Sequence, residues 1–445
     1  MTKRVDSTRN LPKVLFILSS AIIIFVAGGL AALNNLHPFP FFKKSIAELN
    51  TLVEQETKVR SQLLGLSKFS DTGVLTSNPD KYHEGLTVMQ GIFPGGPQVQ
   101  VVDMEGELIH KWDVDFFKIW PDPSHIYPAR NIPITEFDYH TQGMVVEQDG
   151  SVVVSLGNLG STKLDWCSDV IWTSSEMTHH SVTRNDANTY WIAGNRRLDQ
   201  VSNDLLFPGT SRLQFVNSSL GRYENMLFLL DNEGKAIESF SVLEALVKAG
   251  LERQVYDAIL IQADDPTHIN DIELVTSALA AKIEGVEEND LLVSIRQMHM
   301  LTIFDRETGE IKWHHQGPWV RQHDPDIHPD GTISVFNNRA WGYWFSEYAG
   351  SDIMLLDPAT KTTKKLFPNN EDQFFFTDIM GSHQFLPNGN LLIAESRAGR
   401  VIEVDSEGNT VWEYVDKYDD QYASLIEIVE RVPLNFFSPD KKECN

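Results

Sequence analysis

Two kinds of residue are scarce here. Only two cysteines occur in 445 residues, Cys167 and Cys444. They show no metal-ligand spacing, and spacing alone leaves open whether they pair with each other. Basic residues are also few: 37 lysines and arginines face 62 acidic residues, a net charge of −25. That balance argues against a nucleic-acid partner and against a basic membrane-binding face. Long apolar runs are almost absent as well. The one exception is Val14–Leu33, uncharged and preceded by Lys3, Arg4, Arg9 and Lys13. Its length is that of a bilayer-spanning helix, and the flanking charge predicts a cytoplasmic N-terminus. A cleaved signal peptide is the competing reading.

What is abundant is a repeat. A short apolar strand, an Asp, a few turn residues and a second strand ending in an aromatic recur six times. The copies include VQVVDMEGELIHKW from Val99, MLFLLDNEGKAIESF from Met226, MLTIFDRETGEIKW from Met300 and RVIEVDSEGNTVWEY from Arg400. DIMLLDPATKTTKKLF from Asp352 is a fifth, and TKLDWCSDVIW from Thr162 a degenerate sixth. Asp bonds the backbone of its own turn, and Gly takes positive φ there. The closing aromatics Trp112, Trp172, Phe240, Trp313, Phe367 and Trp412 are expected between neighbouring sheets. Strand-rich repeats at this spacing predict an all-β, six-bladed β-propeller over residues 85–431. The first blade is one strand short. Ala423–Arg431 alternates and is expected to supply that strand, closing the ring.

The remaining segments are assigned around this ring. Residues 1–13 form the cytoplasmic N-terminus and 14–33 the transmembrane anchor. Residues 34–84 are a helical stalk and linker, with Lys43–Leu66 helical by its leucine spacing. That helix either lies on the propeller or pairs two chains as a homodimer. A helical insertion is expected near 241–281, and 432–445 form a tail. The predicted location is the inner membrane, single-pass, with the propeller in the periplasm.

A second repeat interleaves with the first. A His precedes a polar turn and an apolar strand at His140, His179–His180, His268, His323 and His383. If each precedes an inner strand, they form a ring of imidazoles at one opening. The offsets to the following turn glycine are even for His140, His323 and His383, which in unbroken strands sets all three on one face.

These motifs resemble the arylsulfotransferase family, the PAPS-independent aryl-sulfate sulfotransferases. The resemblance rests on DPTHINDIELV (Asp265–Val275), DLLVSIR (Asp290–Arg296), RQHDPDIHPDGTISVFNNRA (Arg321–Ala340) and GSHQFLPNGNLLIAES from Gly381, in the family's order. It implies transfer of a sulfuryl group from an aryl sulfate donor to a phenolic acceptor, with no cofactor and no metal. The implied nucleophile is His383, which would carry the sulfuryl group as a sulfohistidine. His268 and His323 would handle protons, and Arg339 would clamp the sulfuryl oxygens. Arg296, Arg321, His180 and His140 are further candidates to bind substrate. FNN stands at Phe336–Asn338 where the family has FDN, and no N-terminal β-domain precedes the propeller. The rival class is a non-catalytic, membrane-anchored propeller that binds or assembles partners in the envelope.

Overall fold

The computed structural model describes residues 16, 18–26, 28, 60–186, 188–206, 223–339, 350–370, 373–437 and 444. Two compact units divide at Val59 and Arg60. The second unit is a six-bladed β-propeller of antiparallel sheets.

Blade 1 contains Leu86–Phe93, Gly96–Val102 and Leu108–Asp113. Its innermost strand is the C-terminal Leu425–Val432, with Leu86 opposite Val432 and Ile92 opposite Leu425. Blade 2 runs from Thr141–Val146 to Val170–Thr173, and blade 3 from Met177–Arg184 to Ala236–Ser241. Blade 4 spans Ile269–Leu274 to Ile311–Gln316, and blade 5 His323–Ile327 to Thr362–Phe367. Blade 6 begins with His383–Phe385 and ends with Thr410–Val415. Two helices, Val242–Lys248 and Glu252–Ile261, separate blades 3 and 4.

The turn chemistry works as the sequence implies. Asp103, Asp165, Asp231, Asp305, Asp357 and Asp405 each accept backbone N–H bonds within their own hairpin turn. The closing aromatics then dock each sheet on the next. Trp112 Nε1 donates to the Gly150 carbonyl of blade 2 at 3.2 Å, and Trp412 Nε1 to Met104 of blade 1 at 2.9 Å. A Cβ on Gly234 would lie 2.6 Å from Trp172, and one on Gly309 2.4 Å from Phe240. Those turns therefore need glycine for close approach as well as for positive φ.

Closure is equally tight. A Cβ on Gly91 would sit 1.7 Å from the Leu425 carbonyl oxygen. Gly91→Ala is therefore expected to cost about 1–3 kcal/mol, as overpacking does. An unchanged denaturant midpoint would show that this strand pair does not close the ring.

Three expectations need correction. First, among the described residues no helix is long and apolar enough to cross a membrane. A span needs about 20 apolar residues in helix, and the helical residues described there are 16, 18–26 and 28. The single-pass inner-membrane anchor, with the propeller placed in the periplasm by it, is overturned. The rest of Val14–Leu33 lies outside the described residues. Second, the helix expected over Lys43–Leu66 does not include its last turn. Residues 60–66 are turns and an isolated bridge from Leu66 to Tyr422. Leu64 is buried against Ile92, Met380 and Leu425, with Leu63 beside it, so these two leucines pack on the propeller, whereas Leu66 is exposed. Residues 43–59 lie outside the described residues, and nothing supports a homodimer. Third, the stretch taken as linker contains a strand, Gly73–Ser77, which pairs with the outer edge of blade 6. An unpaired edge is a ready template for such a segment.

Cys167 and Cys444 form a disulfide with Cα atoms 5.3 Å apart, which ties the C-terminal tail to blade 2.

Candidate active site

The inner strands all run in one direction, so residues at their starts gather at one end of the central channel. Five of the six carry a bulge near that end. The ladder skips Gln142 in blade 2, Asn270 in blade 4, Asp324 in blade 5 and Glu427 in blade 1. In blade 3 it skips from Thr178 to Val182, passing His180. A bulge leaves one residue unpaired and re-aims its side chain. All five of these residues line one cavity, together with His323, Asp271, Gly381 and Ser382. Several neighbours hold left-handed backbone although none is glycine: His180 (φ 54), His268 (φ 47), Arg321 (φ 56) and Asp324 (φ 49). Such conformations cost free energy and concentrate at functional sites.

The upper layer is imidazole and guanidinium. The His180 and His268 rings meet edge to face, with centroids 5.0 Å apart. His180 Nδ1 is 2.9 Å from His179 Nδ1, and its Nε2 faces Gln142 at 3.3 Å. His268 Nδ1 bonds Asp265 Oδ2 at 2.6 Å. His323 Nδ1 bonds Asn338 Oδ1 at 2.6 Å and the Arg321 carbonyl at 3.2 Å. Since a carboxylate or amide oxygen can only accept, Nδ1 of His268 and of His323 is the donor, and on neutral His323 Nε2 carries the lone pair. Burial holds His180 well below the usual histidine range, helped by the charges of His179, His268, His323 and Arg296. Burial, then Arg296, lowers His323 to about 3, so it is neutral at neutral pH. Arg296 is itself buried, 6% exposed.

The lower layer is carboxylate. Burial, then Asp324, pushes Asp271 up to about 8. Burial also raises Glu273, Asp326 and Glu427.

The sequence candidates divide accordingly. His180, His268, His323, Arg296 and Arg321 meet in the upper layer. His383 does not join them. Its side chain has no exposed surface, its Nδ1 lies 2.8 Å from Asp324 and its Nε2 2.7 Å from Ser334 Oγ. Burial opposes its charged form, but Asp326 and Asp324 outweigh this and raise its pKa. Arg339 turns to Asp352, with Nη1 3.3 Å from Oδ2. His140 packs beside Gly157, and Gln142 meets His180 in its place. The bulges at 141–143 and 323–325 also break the even spacing that linked His140, His323 and His383. Asp265 and Asn338 were missed, although each is close in sequence to a histidine motif, in DPTH and FNNR. Gln142, Asn270 and Glu427 had no signal, because bulge positions are invisible in a period-2 pattern.

Layered imidazoles beside buried guanidinium can hold an oxyanion and offer it a neutral nitrogen nucleophile. In the comparisons with known proteins, no curated protein matches the chain. Among solved structures, a protein of unknown function from Bacteroides caccae is similar at 10% identity and TM-score 0.47, over 77% of this chain and 99% of that one. Virginiamycin B lyase from Staphylococcus aureus is similar at 7% identity and TM-score 0.36, over 66% and 84%. Residues 140–417, which contain every histidine and arginine of the upper layer, match the family model described as arylsulfotransferase (ASST). The chain belongs to the arylsulfotransferase family.

Proposed function

We propose that the chain moves a sulfuryl group from an aryl sulfate to a phenolic acceptor at the imidazole end of the channel, through a sulfohistidine. The observation that carries this is the gathering of His180, His268 and His323 around buried Arg296 within a family whose chemistry is sulfuryl transfer.

The roles differ from those implied by resemblance. His383 is enclosed, with both nitrogens engaged, so an incoming sulfur has no approach to it. His323 lines the cavity, and its Nε2 lone pair is the nucleophile. The new N–S bond forms as the S–O bond to the aryl group breaks. The departing phenolate takes a proton from Nε2 of His268. Asp265 steadies the His268 imidazolium that supplies it. In the second half, the acceptor phenol returns a proton to His268, its oxygen bonds sulfur, and the N–S bond breaks. Arg296 and Arg321 hold the sulfuryl oxygens, where fixed donors stabilise charge as it shifts. Arg339 is paired with Asp352 instead.

The test is incubation with 4-nitrophenyl sulfate, with and without a phenol acceptor. The expected result is 4-nitrophenolate release that depends on the acceptor, with one sulfated acceptor formed per donor consumed. No transfer across a panel of aryl sulfates and phenols would remove the reading and leave a binding propeller.

A further inference from the structure

In the lower layer of the channel, carboxylates outnumber the groups that can balance their charge. Asp324 and Asp326 of blade 5 and His383 of blade 6 each offer a ligand atom, and these atoms all lie within 4.8 Å of one another. Asp271 of blade 4 lines the adjoining cavity with Asp324 and is 6% exposed. Its Oδ2 is buried without a hydrogen-bond partner, as are Asn270 Oδ1 and Glu427 Oε2 in the same cavity. All three orphaned atoms are oxygens, and while the two carboxylates are ionised none can satisfy another. Among the described residues, no lysine or arginine forms an ion pair with Asp271, Glu273, Asp324 or Asp326; the partner that Asp324 and Asp326 do have is His383. Carboxylates gathered this closely need a counter-charge, either the His383 imidazolium or a bound cation.

We infer that this layer binds one divalent cation, held by Asp324, Asp326 and His383, with Asp271 of the neighbouring blade adding negative charge beside it. The histidine geometry fits that role. Nδ1 donates to Asp324 Oδ2 at 2.8 Å, and a cation would take the place of that proton, with Ser334 Oγ 2.7 Å from Nε2 to hold the ring. Such a second bond to a ligating imidazole fixes its tautomer and orientation. One imidazole with carboxylates suits Mn²⁺ or Zn²⁺ better than Ca²⁺, which favours oxygen throughout. Asp324 and Asp326 keep 27% and 35% of their side-chain surface open to the lumen, a route for the ion. The cation would join the inner strands of blades 5 and 6. On the transferase reading proposed above, it would also cancel negative charge beneath the place where an anionic sulfate must bind.

The experiment reads metal directly and so stands apart from turnover. Chelator-treated full-length protein is titrated with Mn²⁺ and followed by electron paramagnetic resonance and by thermal melting. The expected result is one saturable Mn²⁺ per chain, displaced by Zn²⁺, with nitrogen coupling from one imidazole and a higher melting temperature. Asp326→Asn, which keeps the side-chain shape, should weaken binding at least about 10-fold, the scale of losing a ligand or its support. His383→Gln should abolish the nitrogen coupling. No saturable binding to wild type, or Asp326→Asn binding Mn²⁺ as wild type does, would overturn the site and leave protonation as the answer to the buried charge. If either variant fails to fold, the wild-type titration and its nitrogen coupling decide alone.

Discussion

His323→Ala is expected to abolish transfer from every aryl sulfate the wild type uses, with kcat reduced about 10⁴-fold or more, the scale seen on removing a nucleophile. The loss should be the same for good and poor leaving groups, because no covalent intermediate can form. His268→Ala should behave differently. Loss of a general acid costs about 10²–10⁴-fold. That cost should be largest for donors whose phenolate is strongly basic, such as phenyl sulfate, and small for 4-nitrophenyl sulfate. The contrast separates a nucleophile from a proton carrier, and it would not arise if both variants were merely unfolded. Equal, leaving-group-independent losses for both variants would contradict the division of labour.

Arg431→Ala is expected to destabilise the propeller by about 3–5 kcal/mol, the usual cost of stranding one member of a buried ion pair. Arg431 lies on the closing strand, and its Nη1 is 3.1 Å from Glu403 Oε2 of blade 6; both side chains are wholly buried. It also bonds Thr87 Oγ1 at 3.0 Å and the His83 carbonyl, and its guanidinium lies 4.9 Å from the Trp412 ring. Its backbone N–H donates to Gln384 at 2.7 Å. One residue thus fastens the last blade to the first. Glu403 has other work, accepting from His83 N–H at 2.6 Å and from Asn390 Nδ2 at 2.8 Å. The double variant Arg431→Met with Glu403→Gln keeps one acceptor and removes the stranded charge. It should recover more than half of the loss in denaturant unfolding. A single variant as stable as wild type would show that the seam is held by strand pairing alone.

The propeller was legible because its signals are local. Each turn Asp bonds its own hairpin, and each closing aromatic ends a strand at a fixed offset, so six hairpins announce six blades. The closing strand was legible from the shortened first blade. The site was only half legible. His180, His268 and His323 meet because they sit near the starts of inner strands, which a repeat can reveal, and Arg296 joins them from the end of the second strand of blade 4. Asp324 and Glu427 enter the channel through bulges, and a bulge is set by backbone packing against the next blade, as where a Cβ on Gly143 would lie 2.0 Å from the His180 carbonyl. His383 shared the histidine pattern but not the environment: Ser334 and Asp324 enclose it from blade 5, a contact across 49 and 59 residues that no motif encodes. At the N-terminus, apolar length alone suggested a span, and the residues described there do not form one.

The most direct test of the transferase account is mass spectrometry of enzyme quenched during reaction with an aryl sulfate in the absence of acceptor. The account predicts a single added SO₃ on the peptide containing His323, lost when a phenol is supplied. An adduct on His383 would return the nucleophile to the residue indicated by family resemblance, and no adduct on any histidine would contradict covalent sulfuryl transfer.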